Sequence, residues 1–278
     1  MFSRAAVISL SVALFVAFPA CGKAQTTSPP GVGQGHTPAS PIRDPRADAL
    51  LRNSIKAMGG AAPLDSIAMG EIVLVAGDAR DKGKIGISTR GPDQCAEHIE
   101  LPKERRSTVY SRGDADEAFG GAVRPSTLEL AASSQCADFP LPLFAAFLAD
   151  PDTTLEYVGA ESLGSVSTQH IWLTNTYASK RGLEFLGEFS RRDVWLDTTT
   201  GLPVKLTYQR REARGRVAPI RVELGYSNWQ MVRGVAYPFQ IEKLWNGTPW
   251  AIITIQSVAF QTGLTEADFP IAPRKGVK

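Results

Sequence analysis

The sequence predicts a mainly β fold: one curved antiparallel sheet of about ten strands with a few helices. Three observations lead there. Residues 202–208, 220–226 and 235–241 each alternate apolar with more polar side chains and are joined by Gly-containing loops, the pattern of an antiparallel meander with one wet face. Further strand-length runs stand on both sides of a helical middle. Strand–helix–strand alternation is absent from the pattern, which argues against a parallel sheet.

The 278 residues are 43% apolar and 21% charged, which excludes a disordered chain and a bundle of membrane spans. Residues 1–20 hold only Arg4 among charged groups, and an uncharged apolar run fills positions 5–20. That run is shorter than the roughly 20 residues a spanning helix needs, so residues 1–20 are expected to be a cleaved secretory signal. Without them the chain keeps 29 basic and 28 acidic residues, a net +1, and shows no general footprint for nucleic acid. Phe18-Pro19-Ala20-Cys21 resembles a bacterial lipobox. Two outcomes stay open: Cys21 receives a diacylglycerol and anchors the chain to a membrane, or the cut follows Ala24. Residues 21–44 are expected to be a disordered tether, because the stretch from 25 to 45 holds five prolines and three glycines and has no apolar face to bury. As a coil it would span roughly 25 Å. Residues 45–278 then form one domain.

Asp44-Pro45 is a helix start, Leu51, Ile55 and Met58 recur at helical spacing, and Gly59-Gly60 stops the run; residues 61–66 would add a turn. Strand character follows at 72–75, with a turn at Gly77-Asp78 and alternation through Ile85 and Ile87. Cys95, Ile99 and Leu101 share one face of the next strand, and Ala96, His98 and Glu100 the other. Residues 126–134 and 140–149 read as helices, the second with an apolar stripe of Leu143, Phe144 and Phe147 that should lie across the sheet. Strands at 169–174, 186–196 and 249–258 complete the meander. In an exported chain Cys95 and Cys136 either pair, closing a loop of about 40 residues worth roughly 4 kcal/mol, or remain buried free thiols.

Several short motifs resemble the periplasmic lipoprotein-carrier superfamily, the Lol-type outer-membrane lipoprotein-sorting proteins. They are Ala57-Met58-Gly59-Gly60 with Leu64 and Ser66-Ile67, then Val194-Trp195-Leu196-Asp197, Gly201-Leu202-Pro203-Val204-Lys205 and Gly225-Tyr226-Ser227-Asn228-Trp229. Gly234-Val235-Ala236-Tyr237-Pro238-Phe239 and Asp268-Phe269-Pro270 complete the series. The resemblance implies a half-open antiparallel β-barrel with a helical lid and an N-terminal helix, enclosing an apolar cavity for acyl chains. On that reading Leu143, Phe144 and Phe147 line the cavity from the lid. Val204, Leu206, Tyr208, Val222, Leu224, Tyr226, Tyr237, Phe239 and Ile241 line it from the strands. Each buried acyl methylene would contribute roughly 0.8 kcal/mol. The alternative is that these residues meet and form a solid core. None of the carriers' own functional residues is placed by the motifs.

No constellation points to catalysis. Residues 77–84 fail as a phosphate loop because Ile85 stands where Ser or Thr must bind magnesium. Three cysteines and three histidines are too few and too scattered for a zinc cluster, and no metal or cofactor is expected. His98 and His170 read as structural or exposed, and Asp193 and Asp197 as the wet side of a strand. Arg210, Arg211, Arg214 and Arg216 crowd one connection: either a solvated loop, or a contact for anionic headgroups or an acidic protein. The expected function is non-enzymatic binding of a lipid or lipoprotein acyl chain in the bacterial envelope, with an envelope sensor or scaffold that binds a protein as the alternative.

Overall fold

The computed structural model describes residues 41–60, 65–77, 79–134, 136–211 and 218–273. The expected signal, Cys21, most of the tether, residues 61–64 of the extra helical turn, Asp78, Arg214 and Arg216 lie outside the described residues. Helix α1 (Pro45–Ala57) leads into strands β1 (Ser66–Ala76), β2 (Ala79–Arg90), β3 (Gln94–Glu100), β4 (Arg105–Ser111), β5 (Asp114–Phe119) and β6 (Ala122–Pro125). Helices α2 (Leu128–Ser134) and α3 (Pro140–Ala149) follow, then β7 (Thr153–Leu163) and β8 (Val166–Asn175). Helix α4 (Gly187–Ser190) precedes β9 (Arg192–Asp197), β10 (Pro203–Arg210), β11 (Ile220–Val232), β12 (Val235–Trp245) and β13 (Thr248–Phe260).

All thirteen strands join one antiparallel sheet in the order β6-β5-β4-β3-β2-β1-β13-β12-β11-β10-β9-β8-β7. The sheet is not closed, so β6 and β7 are its edges. The expected ten strands become thirteen chiefly because residues 105–125 form three short ones. Their turns are Arg112-Gly113 and Gly120-Gly121, each pair left-handed (φ 55° and 89°; 58° and 88°), as a type I′ hairpin requires. The strand expected at 186–196 is shorter than that. Leu186 and Phe189 lie three residues apart, so one helical turn buries both beside Ala132 of α2.

The body also begins before Pro45. Leu155 of β7 donates to the Ile42 carbonyl at 2.8 Å and accepts from the Asp44 amide at 2.9 Å, so the last residues assigned to the tether are fastened to an edge strand. Asp44 then caps α1 by accepting from the Arg46 and Ala47 amides. The end of α1 docks on two hairpin turns. The Met58 carbonyl accepts from the Ala236 amide at 3.1 Å, a side chain on Gly59 would strike the Gly234 carbonyl at 2.8 Å, and Gly201 lies against Ala57. Much of the resembling sequence therefore gathers at one docking point.

Helices α1 and α3 cover the middle of the concave face. Ala47 and Leu51 from α1 and Met58, which caps it, meet Leu143 and Phe144 from α3 and Ile72, Leu206, Leu224 and Ile253 from the sheet, all buried in one cluster. Opposite Met69 and Gly70 the pairing shifts by one residue, so Gln256 of β13 is left unpaired and the inward phase moves from 251, 253 and 255 to 258 and 260. Two arginines finish helix ends. Arg43 donates to the Phe147 and Leu148 carbonyls in the last turn of α3 and to the Asp150 carbonyl just beyond it. Arg192, 1% exposed, donates to the Ala132 carbonyl of α2 and to the Phe189, Ser190 and Arg191 carbonyls.

Candidate functional site

Beside the packed centre, a cavity of about 840 Å³ lies between the two limbs of the sheet. Strand pleating explains its lining. On one limb the inward positions of paired strands form rows, one running Ile87, Glu97, Thr108, Glu117, Arg124 and the next running Ile99, Arg106, Phe119. On the other limb Tyr208, Val222 and Trp245 stand opposite one another, with Lys243 one step along β12 and Arg210 one step along β10. The residues between α2 and α3 close the space with Ser134, Cys136, Ala137, Asp138 and Phe139. Trp245 and Trp250 stack nearly parallel in the wall, ring centroids 4.4 Å apart.

This connecting segment is pinned at four successive points. Cys136 is bonded to Cys95 of β3. The Ala137 carbonyl accepts from the Tyr226 hydroxyl at 2.8 Å, and Asp138 meets the Lys243 ammonium at 2.5 Å. Phe139 packs on Tyr237, centroids 5.4 Å apart. Lys243 also reaches Glu97 at 3.1 Å, and Arg210 reaches Glu117 at 2.6 Å. Both pairs bridge one limb of the sheet to the other.

Burial shapes the charges at the Lys243 cluster. Alone it would push the ammonium down, but Asp138 and Glu97 outweigh it and hold Lys243 above its usual range. Burial would likewise raise Asp138, yet Lys243 holds it below the ordinary carboxylate value. Glu97 differs: burial, reinforced by Asp138, wins over the pull of Lys243 and pushes its carboxyl up to about 8. The folded protein thus keeps a proton that the unfolded chain releases above about pH 4.5. Stability should therefore fall as pH rises from 4.5 toward 8. Urea unfolding between pH 5 and 9 is expected to show that slope in the wild type and to show it flattened in Glu97→Gln; parallel curves would contradict the protonated Glu97.

The residues expected to line the hollow divide. Tyr208 and Val222 face the cavity. Leu143, Phe144, Phe147, Leu206, Leu224, Tyr226 and Ile241 are sealed in the core, where α1 supplies the volume that fills the space beneath α3. Phe239 packs against that core, Tyr237 borders a crevice of about 20 Å³ beside it, and Val204 is half-buried outside it. The empty space is thus beside the lid helices, not under them. Of the arginines, Arg210 lines the cavity, whereas Arg211 stacks on Phe189, 4.4 Å from the ring centroid. His98 is exposed. His170 sits outside the barrel with its ring nitrogens 2.8 Å from Glu161 and 3.1 Å from Asp193, stacked on Trp195. Glu97, Arg106, Glu117, Arg124 and Lys243 were not singled out by the motifs. Their signal lies in phase: Lys243 falls two residues after Ile241 on the face that carries Val235, Tyr237 and Ile241.

No protein-family profile matches the sequence, and no curated protein does. Solved structures do match in shape. A LolA superfamily protein from Nitrosomonas europaea superposes with a TM-score of 0.56 at 15% identity, covering 81% of this chain and 97% of that one. A domain described as an outer membrane lipoprotein-sorting protein domain, from Vibrio parahaemolyticus, gives 0.54 at 14% identity over 81% and 96%. A DUF1329 family protein from Desulfovibrio piger gives 0.54 at 14% identity over 81% and 97%. The unclosed antiparallel sheet, the helices across its concave face and these superpositions agree: the chain has the fold of the Lol-type lipoprotein-carrier superfamily.

Proposed function

We propose that the protein is an exported, non-catalytic binder of an acyl chain of a lipid or lipoprotein in the bacterial envelope, held to a membrane through a lipidated Cys21. The observation that carries this reading is the cavity. Its volume of about 840 Å³ falls within the roughly 300–1,000 Å³ of sites that enclose one small ligand, and Ile87, Ile99, Phe139, Val222, Trp245 and Trp250 give it hydrocarbon walls. The fold shared with lipoprotein-sorting domains supports the same reading. Protein purified without detergent is expected to carry lipid detectable by mass spectrometry, and an apolar fluorophore bound to it should be displaced by fatty acid. Val222→Phe, which fills the cavity, should weaken uptake several-fold. Protein that neither carries nor takes up lipid would sink the proposal, and absence of palmitate labelling that Cys21→Ser abolishes would remove the anchor.

A second reading, a sensor or scaffold that binds an envelope protein, is favoured by the tight core beneath α1 and α3, which leaves that part of the barrel without room for a ligand. Crosslinking to a partner that is lost on reversing the exposed charge of Arg221, with lipid uptake intact, would favour it.

A further inference from the structure

The charges around the cavity are not balanced in space. Its three acidic side chains are all engaged inside it: the Asp138 carboxylate and the protonated Glu97 carboxyl by Lys243, and the Glu117 carboxylate by Arg210. Four cations line it, so the surplus falls on Arg106 and Arg124. Arg124 stands directly opposite Glu117 in strand register, but Glu117 turns to Arg210 at 2.6 Å. Among the described residues the Arg124 guanidinium has no hydrogen-bond or ion-pair partner, and it is exposed on edge strand β6. Arg106 gives one guanidinium nitrogen to Glu104 at 2.7 Å, outside the cavity lining. Between them is Phe119, opposite Arg106 in register and 44% exposed, an apolar step at the entrance.

We infer that the cavity takes a single-chain amphiphile whose anionic head, a carboxylate or a phosphate, is held at the Arg106–Arg124 rim while its hydrocarbon chain runs inward past Phe119. This rests on the acyl-binding reading above and adds the class of head group. An anion on the buried floor would meet the Asp138 carboxylate, which already holds the Lys243 ammonium at 2.5 Å, whereas at the rim it meets the two guanidiniums. A zwitterionic head brings its own cation to a positive rim, and a neutral head gains no charge-assisted bond there.

The test uses the mature chain and four 16-carbon probes: lysophosphatidylglycerol, palmitate, lysophosphatidylcholine and monopalmitoylglycerol. Each is titrated against a bound apolar fluorophore, with inorganic phosphate as the free-anion control. The two anionic probes are expected to bind about tenfold more tightly than the other two, and Arg124→Glu should erase the difference without weakening monopalmitoylglycerol. Equal affinity for all four, or an Arg124→Glu variant that keeps the preference, overturns the inference and leaves acyl binding standing. Failure of every probe overturns the acyl-binding reading itself. Phosphate competing as strongly as lysophosphatidylglycerol overturns the amphiphile in favour of a simple anion site.

Discussion

Lys243→Ala is expected to cost about 3–5 kcal/mol of unfolding free energy, among the largest effects of any single change in the protein. Its side chain is 7% exposed, and its ammonium touches Asp138 at 2.5 Å and Glu97 at 3.1 Å. Removing it leaves a buried carboxylate with nothing to offset its lost hydration, and frees the α2–α3 connection from β12. The charges themselves are not the source of stability. Exchanging all three residues for apolar or neutral ones of similar size (Glu97→Gln, Asp138→Asn, Lys243→Met) should recover most of the loss, because no uncompensated charge then remains. Urea unfolding of the single and triple variants decides this. A single variant within 1 kcal/mol of wild type would show that water reaches the cluster well enough to replace the lysine.

Replacing both Cys95 and Cys136 with alanine should lower stability by about 4 kcal/mol, from the 41-residue separation that the bond constrains in the unfolded chain. For a body of this size that is on the order of a 10 °C fall in Tm. A reductant should reproduce the fall in wild type and leave the double-alanine variant unmoved. The bond does more than shorten the unfolded chain. Cys136 is followed at once by Ala137, Asp138 and Phe139, which close the cavity, so its loss should also speed release of a bound fluorophore. A Tm unchanged by reductant would contradict the pairing.

Much of the fold was legible because a half-buried sheet writes period two into its strands; the phases of 220–226 and 235–241 are those of the structure, and that of 202–208 holds from Leu206 on, after a register shift that leaves Val204 unpaired. The strands between 105 and 125 were written too, in the Arg112-Gly113 and Gly120-Gly121 turns, but their apolar alternation is faint because Arg106, Thr108 and Glu117 occupy inward positions. The same cause hid the site. A rule that assigns charge to the wet face passes over Lys243, Glu117 and Glu97, each standing where the apolar phase of its strand predicts a hydrocarbon. Their partners lie between 93 and 146 residues away, a distance over which no local pattern carries information. Which apolar residues face empty space was illegible for another reason. Leu224 and Val222 are alike in the sequence, and only the bulk that α1 and α3 place above the first distinguishes core from cavity wall.

The outermost strands, β6 and β7, are neighbours in the chain, and residues 126–152 run between them across the hollow side of the sheet. That makes the molecule a bow with its string attached. The curvature of thirteen strands can relax only as far as this short cord allows, and the bond at Cys136 ties the cord to the bow partway along. On the proposed acyl-binding reading, guests of growing girth should therefore be refused abruptly, at a size set by the cord's length, and not accommodated by gradual widening.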